Sequence, residues 1–118
     1  MAEINLRNYA YLGDAVWELF VREHTIQRTS KAGILHKITT DKVNASFQAE
    51  LLNYIEQYLT EAEHEIARRG RNLQIPVARR SNQHEYRQAT AFEVLIGWWY
   101  ENDKEKLNNI LQKIEEKI

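Results

Sequence analysis

Helix breakers are almost missing from this chain: its 118 residues include one proline and four glycines. Good helix formers such as Leu, Glu, Ala, Gln, Lys and Arg fill much of the remainder, so helix propensity stays high nearly from end to end. Such a chain is confined to an all-α fold, and its length suits one domain, residues 1–118, with a core of its own. A compact bundle of about five to seven helices is the expected architecture.

Leu6, Tyr9, Gly13, Val16, Trp17, Phe20 and Val21 recur at helical spacing and predict a first helix over residues 5–28. A second, starting near Ser30, is expected to carry Ile34, Ile38, Ala45, Ala49, Leu52 and Ile55 into the core. Thr60 and Glu63 match a capping box, in which each side chain bonds the other's backbone N–H, so a third helix starts there and ends near Gly70. Periodicity disappears from 71 to 82, where the only proline, Pro76, predicts a loop. A fourth helix over about 84–100 places Ala89, Phe92, Leu95, Ile96 and Trp99 on one face. The residues END (101–103) interrupt it before a short amphipathic helix built on Leu107, Ile110, Leu111 and Ile114.

Cysteine is absent, which excludes disulfides and thiolate metal sites. No apolar run approaches the roughly 20 residues that span a bilayer, and the first residues lack the basic-then-apolar layout of a signal peptide. The expected location is the cytoplasm, with no membrane association. Net charge is only −1, yet six of the nine arginines (Arg68, Arg69, Arg71, Arg79, Arg80 and Arg87) fall in twenty residues that hold one acid, Glu85. On charge alone this stretch reads equally as a solvated loop or as a basic rim for phosphate.

Two acids stand in unusual places. On a helical wheel Asp14 lies within about 60° of Ala10, Trp17 and Val21, which turns it to the packed side or its edge. Glu93 has Ala89, Thr90, Ile96 and Gly97 as its i±3 and i±4 neighbours. Each acid shares its helix with a glycine, Gly13 or Gly97, and mid-helix glycine costs up to about 1 kcal/mol unless backbones must approach closely. A buried carboxylate must be neutralised, paired or metal-bound, so each acid is either salt-bridged to an arginine or part of a metal site. Oxygen ligands of this kind suit Mg²⁺ or Mn²⁺.

The motifs together resemble a known family. Residues 11–16, YLGDAV, resemble the signature helix of the ribonuclease III catalytic domain, and residues 92–97, FEVLIG, resemble its second acidic motif. LHK (35–37), RRGRN (68–72) and YRQATAFE (86–93), in that order and without a double-stranded RNA-binding domain, are similar to the Mini-ribonuclease III subfamily. The resemblance covers nearly the whole chain. It implies a helical homodimer that hydrolyses double-stranded RNA with Mg²⁺ (Mn²⁺ as substitute), leaves 5′-phosphate and 3′-hydroxyl ends, and serves ribosomal RNA (23S) maturation, with a ribosomal protein or particle as a further partner. Asp14 and Glu93 match the family's catalytic and metal-binding acids. The larger enzymes have glutamates where this chain has Arg7 and Ala10 and an aspartate where it has Thr90; the subfamily shares the loss at the last two.

With that chemistry, Asp14 and Glu93 would hold a cation that activates water and stabilises charge on the phosphate. Arg69, Arg71, Arg79 and Arg80 are the phosphate candidates, because A-form RNA is read through phosphates and 2′-hydroxyls across its shallow minor groove. Arg87 is expected to pair with a core acid. Glu18, one turn after Asp14, is an outer-sphere partner or an ordinary exposed acid; His36 is a satisfied structural histidine or a contributor to the site. Gly70 reads as a helix cap or as a point of close approach to phosphate. Trp17, Trp98, Trp99 and Tyr100 belong to the core or a dimer interface, and the first helix is the expected dimer face. The alternatives are a non-catalytic RNA-binding or ribosome-assembly module with the same fold, and a helical interaction protein whose acids are merely salt-bridged.

Overall fold

A computed structural model describes residues 5–74 and 82–118. Among them are six α-helices and no strand: α1 (Leu6–Thr25), α2 (Ala32–Val43), α3 (Ala45–Ile55), α4 (Glu61–Arg71), α5 (Gln83–Asn102) and α6 (Lys104–Glu115), with a 3₁₀ turn at Glu56–Tyr58. The all-α expectation holds. No helix among the described residues is long and apolar enough to cross a membrane.

The residues buried on α1 are Tyr9, Gly13, Trp17, Val21 and Thr25, one every fourth position. That spacing forms a single i±4 ridge, the geometry that seats one helix against another. The ridge lies along α5, and α3, α4 and α6 pack on α5 as well. This surround explains a difference from the one-faced helix expected for α5. Ala91, Val94 and Gly97 are buried along with Ala89, Phe92, Leu95, Ile96 and Trp99, so its middle is apolar nearly all round, as befits the central helix of a bundle. Trp17 and Trp99 are fully buried, and Trp17 meets Phe92 edge to face at 5.2 Å. Trp17 also donates its indole N–H to the Lys42 carbonyl at 2.8 Å, tying α1 to the end of α2. Trp98 is half-buried and Tyr100 is exposed at its edge.

The long second helix is in fact two. Asn44 adopts an extended backbone (φ −76°, ψ 163°), and its side chain accepts from the Phe47 N–H at 2.8 Å, so it caps α3 and breaks the run. The break shifts the helical phase: Leu51, Leu52 and Ile55 of α3 are buried with Gln48, whereas Ile34 on α2 is 46% exposed and Ile38, Ala45 and Ala49 are only half-buried.

The capping box of α4 forms as expected, with Glu63 Oε1 accepting from Thr60 N at 2.8 Å and Glu63 N donating to Thr60 Oγ1 at 3.2 Å. Gly70 neither ends this helix nor faces solvent. It is buried within α4, and a Cβ there would lie 3.1 Å from Ala91 Cα, so its smallness serves the α4–α5 contact.

Glu63 does more than cap. Buried, it accepts from Trp99 Nε1 at 2.8 Å and pairs with Lys106 Nζ at 3.1 Å. Burial opposes its charge, but the bonds from the Thr60 backbone, Trp99 and Lys106 outweigh it and hold the carboxyl below the usual range. Glu63→Gln is expected to cost about 3 kcal/mol near neutral pH, because it leaves Lys106 and Trp99 imperfectly paired. A depressed pKa contributes stability above the unfolded value, about 4.5, that is lost as pH falls through the folded one, so wild type and variant should converge on acidification. Urea denaturation at several pH values measures this; a gap that persists in acid would contradict it.

Candidate active site

Two glycines set the site. A Cβ on Gly13 would overlap the Glu93 carbonyl oxygen and stand 2.9 Å from Gly97 N, and a Cβ on Gly97 would overlap the Tyr9 carbonyl oxygen and stand 3.0 Å from Gly13 N. The backbones of α1 and α5 therefore touch where they cross. Asp14 follows Gly13 directly, and Glu93 is one turn before Gly97, so the crossing that excludes side chains also brings the two acids together. The expectation of close backbone approach holds, and it carries the site.

Asp14 is at the exposed edge of the packed face and Glu93 is half-buried. Neither forms an ion pair with Arg or Lys among the described residues. Their carboxyl groups lie within hydrogen-bonding reach of each other. Burial, then the hydrogen bond with Asp14, then the charge of Asp14 push the Glu93 carboxyl up to about 9, while Gln48 acts in the opposite direction. The Glu93 carboxyl therefore keeps its proton near neutral pH unless a cation replaces it.

The acids open onto a cleft of about 320 Å³, lined also by Arg7, Ala10, Tyr11, Leu73, Tyr86 and Thr90. Arg7 donates from Nη2 to the Gln74 carbonyl at 2.9 Å, which straps the start of α1 to the segment after α4. A smaller cavity beside the cleft shares Arg7, Leu73, Tyr86 and Thr90 with it and adds Arg71 and Arg87. The cleft thus has an acidic floor and a basic margin.

Of the candidate residues, Asp14 and Glu93 come together, and Arg71 adjoins their cleft. Arg69 is exposed on α4; Arg79 and Arg80, with the proline loop around them, lie outside the described residues. Among the described residues Arg87 pairs with no core acid. Its Nη1 donates to the Arg71 carbonyl at 2.7 Å, because the end of α4 presents unpaired backbone carbonyls there. Glu18 is engaged by Arg22 at 3.1 Å and does not line the cleft. His36 is exposed and borders a different cavity, with Arg22, Thr25 and Thr39. The residues that sequence reasoning did not place here are Tyr11, Leu73, Tyr86 and Gln48. Gln48 carried the one readable signal, a polar side chain at a helical position between core residues.

No group of three or more His, Asp or Glu side chains that could hold a metal occurs among the described residues. The pair still fits Mg²⁺ or Mn²⁺, since such cations are held by one or two carboxylates and take the rest of their shell from water and substrate phosphate. The burial and the nearby Asp14 charge that disfavour the Glu93 carboxylate are also what a divalent cation would offset.

A model of the Ribonuclease III domain matches residues 7–104. The chain is 42% identical over 113 residues to the Mini-ribonuclease 3 of Gloeobacter violaceus, covering 96% of this chain and 84% of that one. It is 39% identical to that of a Synechocystis strain (90% and 74% covered) and 35% identical to that of Clostridium tetani (97% and 78%). A crystal structure of a protein from Fusobacterium nucleatum superposes with a TM-score of 0.85 at 32% identity, over 97% of this chain and 93% of that one. The matched segment holds both acids and the glycine crossing beneath them, and the chain belongs to the Mini-ribonuclease 3 group of the ribonuclease III-domain family.

Proposed function

We propose that this chain is an endoribonuclease that hydrolyses phosphodiester bonds of double-stranded RNA at the Asp14–Glu93 pair with a divalent cation, Mg²⁺ or Mn²⁺, and leaves 5′-phosphate and 3′-hydroxyl ends. The observation that carries the reading is the adjacency of two carboxyls that have no basic partner among the described residues, at the floor of an open cleft. A binding protein for a polyanion gains nothing from that arrangement. A cation bound there would activate the attacking water and neutralise charge developing on the phosphate. Asp14 and Glu93 hold and orient it, and Arg7 and Arg71 at the margin attract phosphate oxygens.

The substrate we favour is a ribosomal RNA precursor (23S), reached in the cytoplasm, with a ribosomal protein or particle as a further partner. A second copy of the chain is the other partner. Tyr11, Leu19 and Ile26 are 85%, 59% and 65% exposed and recur seven or eight residues apart, so they form an apolar stripe along α1 and its C-cap residue that a C2 mate would cover. Two sites related by a twofold axis match the two strands of a duplex. A sedimentation experiment that returns only monomer at micromolar concentration would remove this part.

Arg69 and Arg71 are assigned to phosphate. Arg71→Ala is expected to weaken duplex binding evenly across sequences and to flatten its salt dependence by about one unit of slope. Gel-shift titration over a range of salt concentrations reads this directly, and an unchanged slope would free Arg71 of the role. The function itself is tested by incubating wild type with duplex and single-stranded RNA, with Mg²⁺ or EDTA, and assaying product ends with a 5′-phosphate-dependent exonuclease. Cleavage confined to duplex, dependent on the cation and yielding digestible ends supports the proposal; binding without cleavage would leave a non-catalytic RNA-binding module.

A further inference from the structure

We propose that Gln48 is a positioning residue of this active site, its buried side-chain amide holding the Glu93 carboxylate in the orientation that faces Asp14 and the bound cation. The inference rests on the hydrolase reading above and adds a residue to it.

Gln48 lies on α3, which packs on α5, and is 2% exposed. Leu51 and Leu52 beside it belong to the hydrophobic core, where a side chain of this length is ordinarily Leu or Met. Thr25 and Glu63, also buried, are engaged. Thr25 Oγ1 donates to the Val21 carbonyl at 2.9 Å, and Glu63 has Thr60, Trp99 and Lys106. Gln48 Nε2, by contrast, is buried with no formed hydrogen bond, and among the described residues only Gln88 Oε1 shares this lack of a partner, on a side chain that is half-buried. An amide left this way is destabilising, and a core does not retain one for packing.

Its polar surroundings name the reason. Among the described residues Gln48 is the neutral side chain that favours the charged form of Glu93, and its Nε2 stands beside that carboxyl without a closed hydrogen bond. With a cation held by the two acids, Glu93 would be a full carboxylate, and the amide N–H beside it could donate to that carboxylate. An amide suits this position better than a carboxylate, which would add a third negative group, or a lysine, which would compete with the cation. Partners of this kind, bonded to a ligand and not to the metal, fix the ligand's geometry. Gln48 touches neither substrate nor reacting atoms.

The test compares wild type, Gln48→Met and Gln48→Leu, which keep the volume and remove the donor. Mn²⁺ affinity is measured by water-proton relaxation without RNA, Tm by circular dichroism, duplex binding in EDTA by gel shift, and cleavage as a function of Mn²⁺. The expected result is a ten- to a hundredfold loss of Mn²⁺ affinity, with Tm unchanged or raised and duplex binding in EDTA unchanged. Cleavage should return toward the wild-type rate at high Mn²⁺. Wild-type Mn²⁺ affinity in both variants would overturn the inference, as would a fall in Tm or loss of fold in both, which makes Gln48 structural. If wild type itself neither binds Mn²⁺ nor cuts duplex RNA, the hydrolase reading fails and takes this inference with it.

Discussion

Glu93→Gln is expected to abolish cleavage and at the same time to stabilise the metal-free protein. The first effect follows from losing one of two ligands. Since even outer-shell partners are worth about 10 to 100-fold in metal affinity or activity, a direct ligand should be worth on the order of a thousandfold or more. The second follows from the burial of the Glu93 carboxyl and, after it, from its closeness to Asp14. The Glu93 carboxyl is pushed up to about 9 from an ordinary 4.5, so the folded state holds this proton more tightly than the unfolded chain does. A raised pKa contributes stability in full below the unfolded value and loses it as pH rises through the folded one. Wild type should therefore weaken between about pH 4.5 and 9 by a component that the glutamine variant lacks. Each pKa unit is worth about 1.4 kcal/mol, and with allowance for partial exposure the advantage of the variant near neutral pH is about 1 to 3 kcal/mol. Added Mg²⁺ should reverse the order, because only wild type gains stability from binding it. Urea denaturation in EDTA and in Mg²⁺ measures both; a variant no more stable than wild type in EDTA would mean that neither burial nor Asp14 disfavours the Glu93 carboxylate.

The other large effect is expected at the helix crossing. Gly97→Ala puts a methyl group into the Tyr9 carbonyl oxygen and close to Gly13 N, and both obstacles are backbone. Neither can swing aside, so α1 and α5 must separate along their contact. Overpacking that a rotamer can absorb costs about 1–3 kcal/mol, and this case should reach about 3 kcal/mol or more, a large part of the roughly 5–15 kcal/mol that holds a small domain together. Separating the helices also separates Asp14 from Glu93, so activity should fall further than the folded fraction does. Gly33→Ala is the control: nothing lies within 4 Å of the added carbon, and on α2 it should be neutral or stabilising by up to about 1 kcal/mol. Equal Tm values for the two variants would contradict the crossing as described.

These expectations show which features are legible in the residues and which require the folded chain. The ridge of α1 is readable because its burial repeats every fourth residue, and the start of α4 because a capping box is a local pairing of two side chains. The break at Asn44 is not, since an asparagine can sit inside a helix or cap one, and apolar residues continue at helical spacing on both sides of it. Burial of α5 all round depends on how many neighbours surround it, which no single helix encodes. At the site, Asp14 and Glu93 are legible as acids out of place beside glycines, but their contact is made by the crossing. Gln48 and Leu73 come to Glu93 and the cleft from other elements, Tyr86 joins them from two turns earlier on α5, and Arg87 finds a carbonyl and not an acid because α4 ends beside it.

The central claim is that Asp14 and Glu93 together cut double-stranded RNA with a divalent cation. Its most direct test is cleavage of a long duplex in low salt and Mg²⁺ by wild type, Asp14→Asn and Glu93→Gln, with gel shifts and circular dichroism on each. The account predicts that wild type cuts, that EDTA stops it, and that both variants fold and bind the duplex without cutting it. Cleavage by either variant at near the wild-type rate, or cleavage by wild type that persists in EDTA, would contradict it.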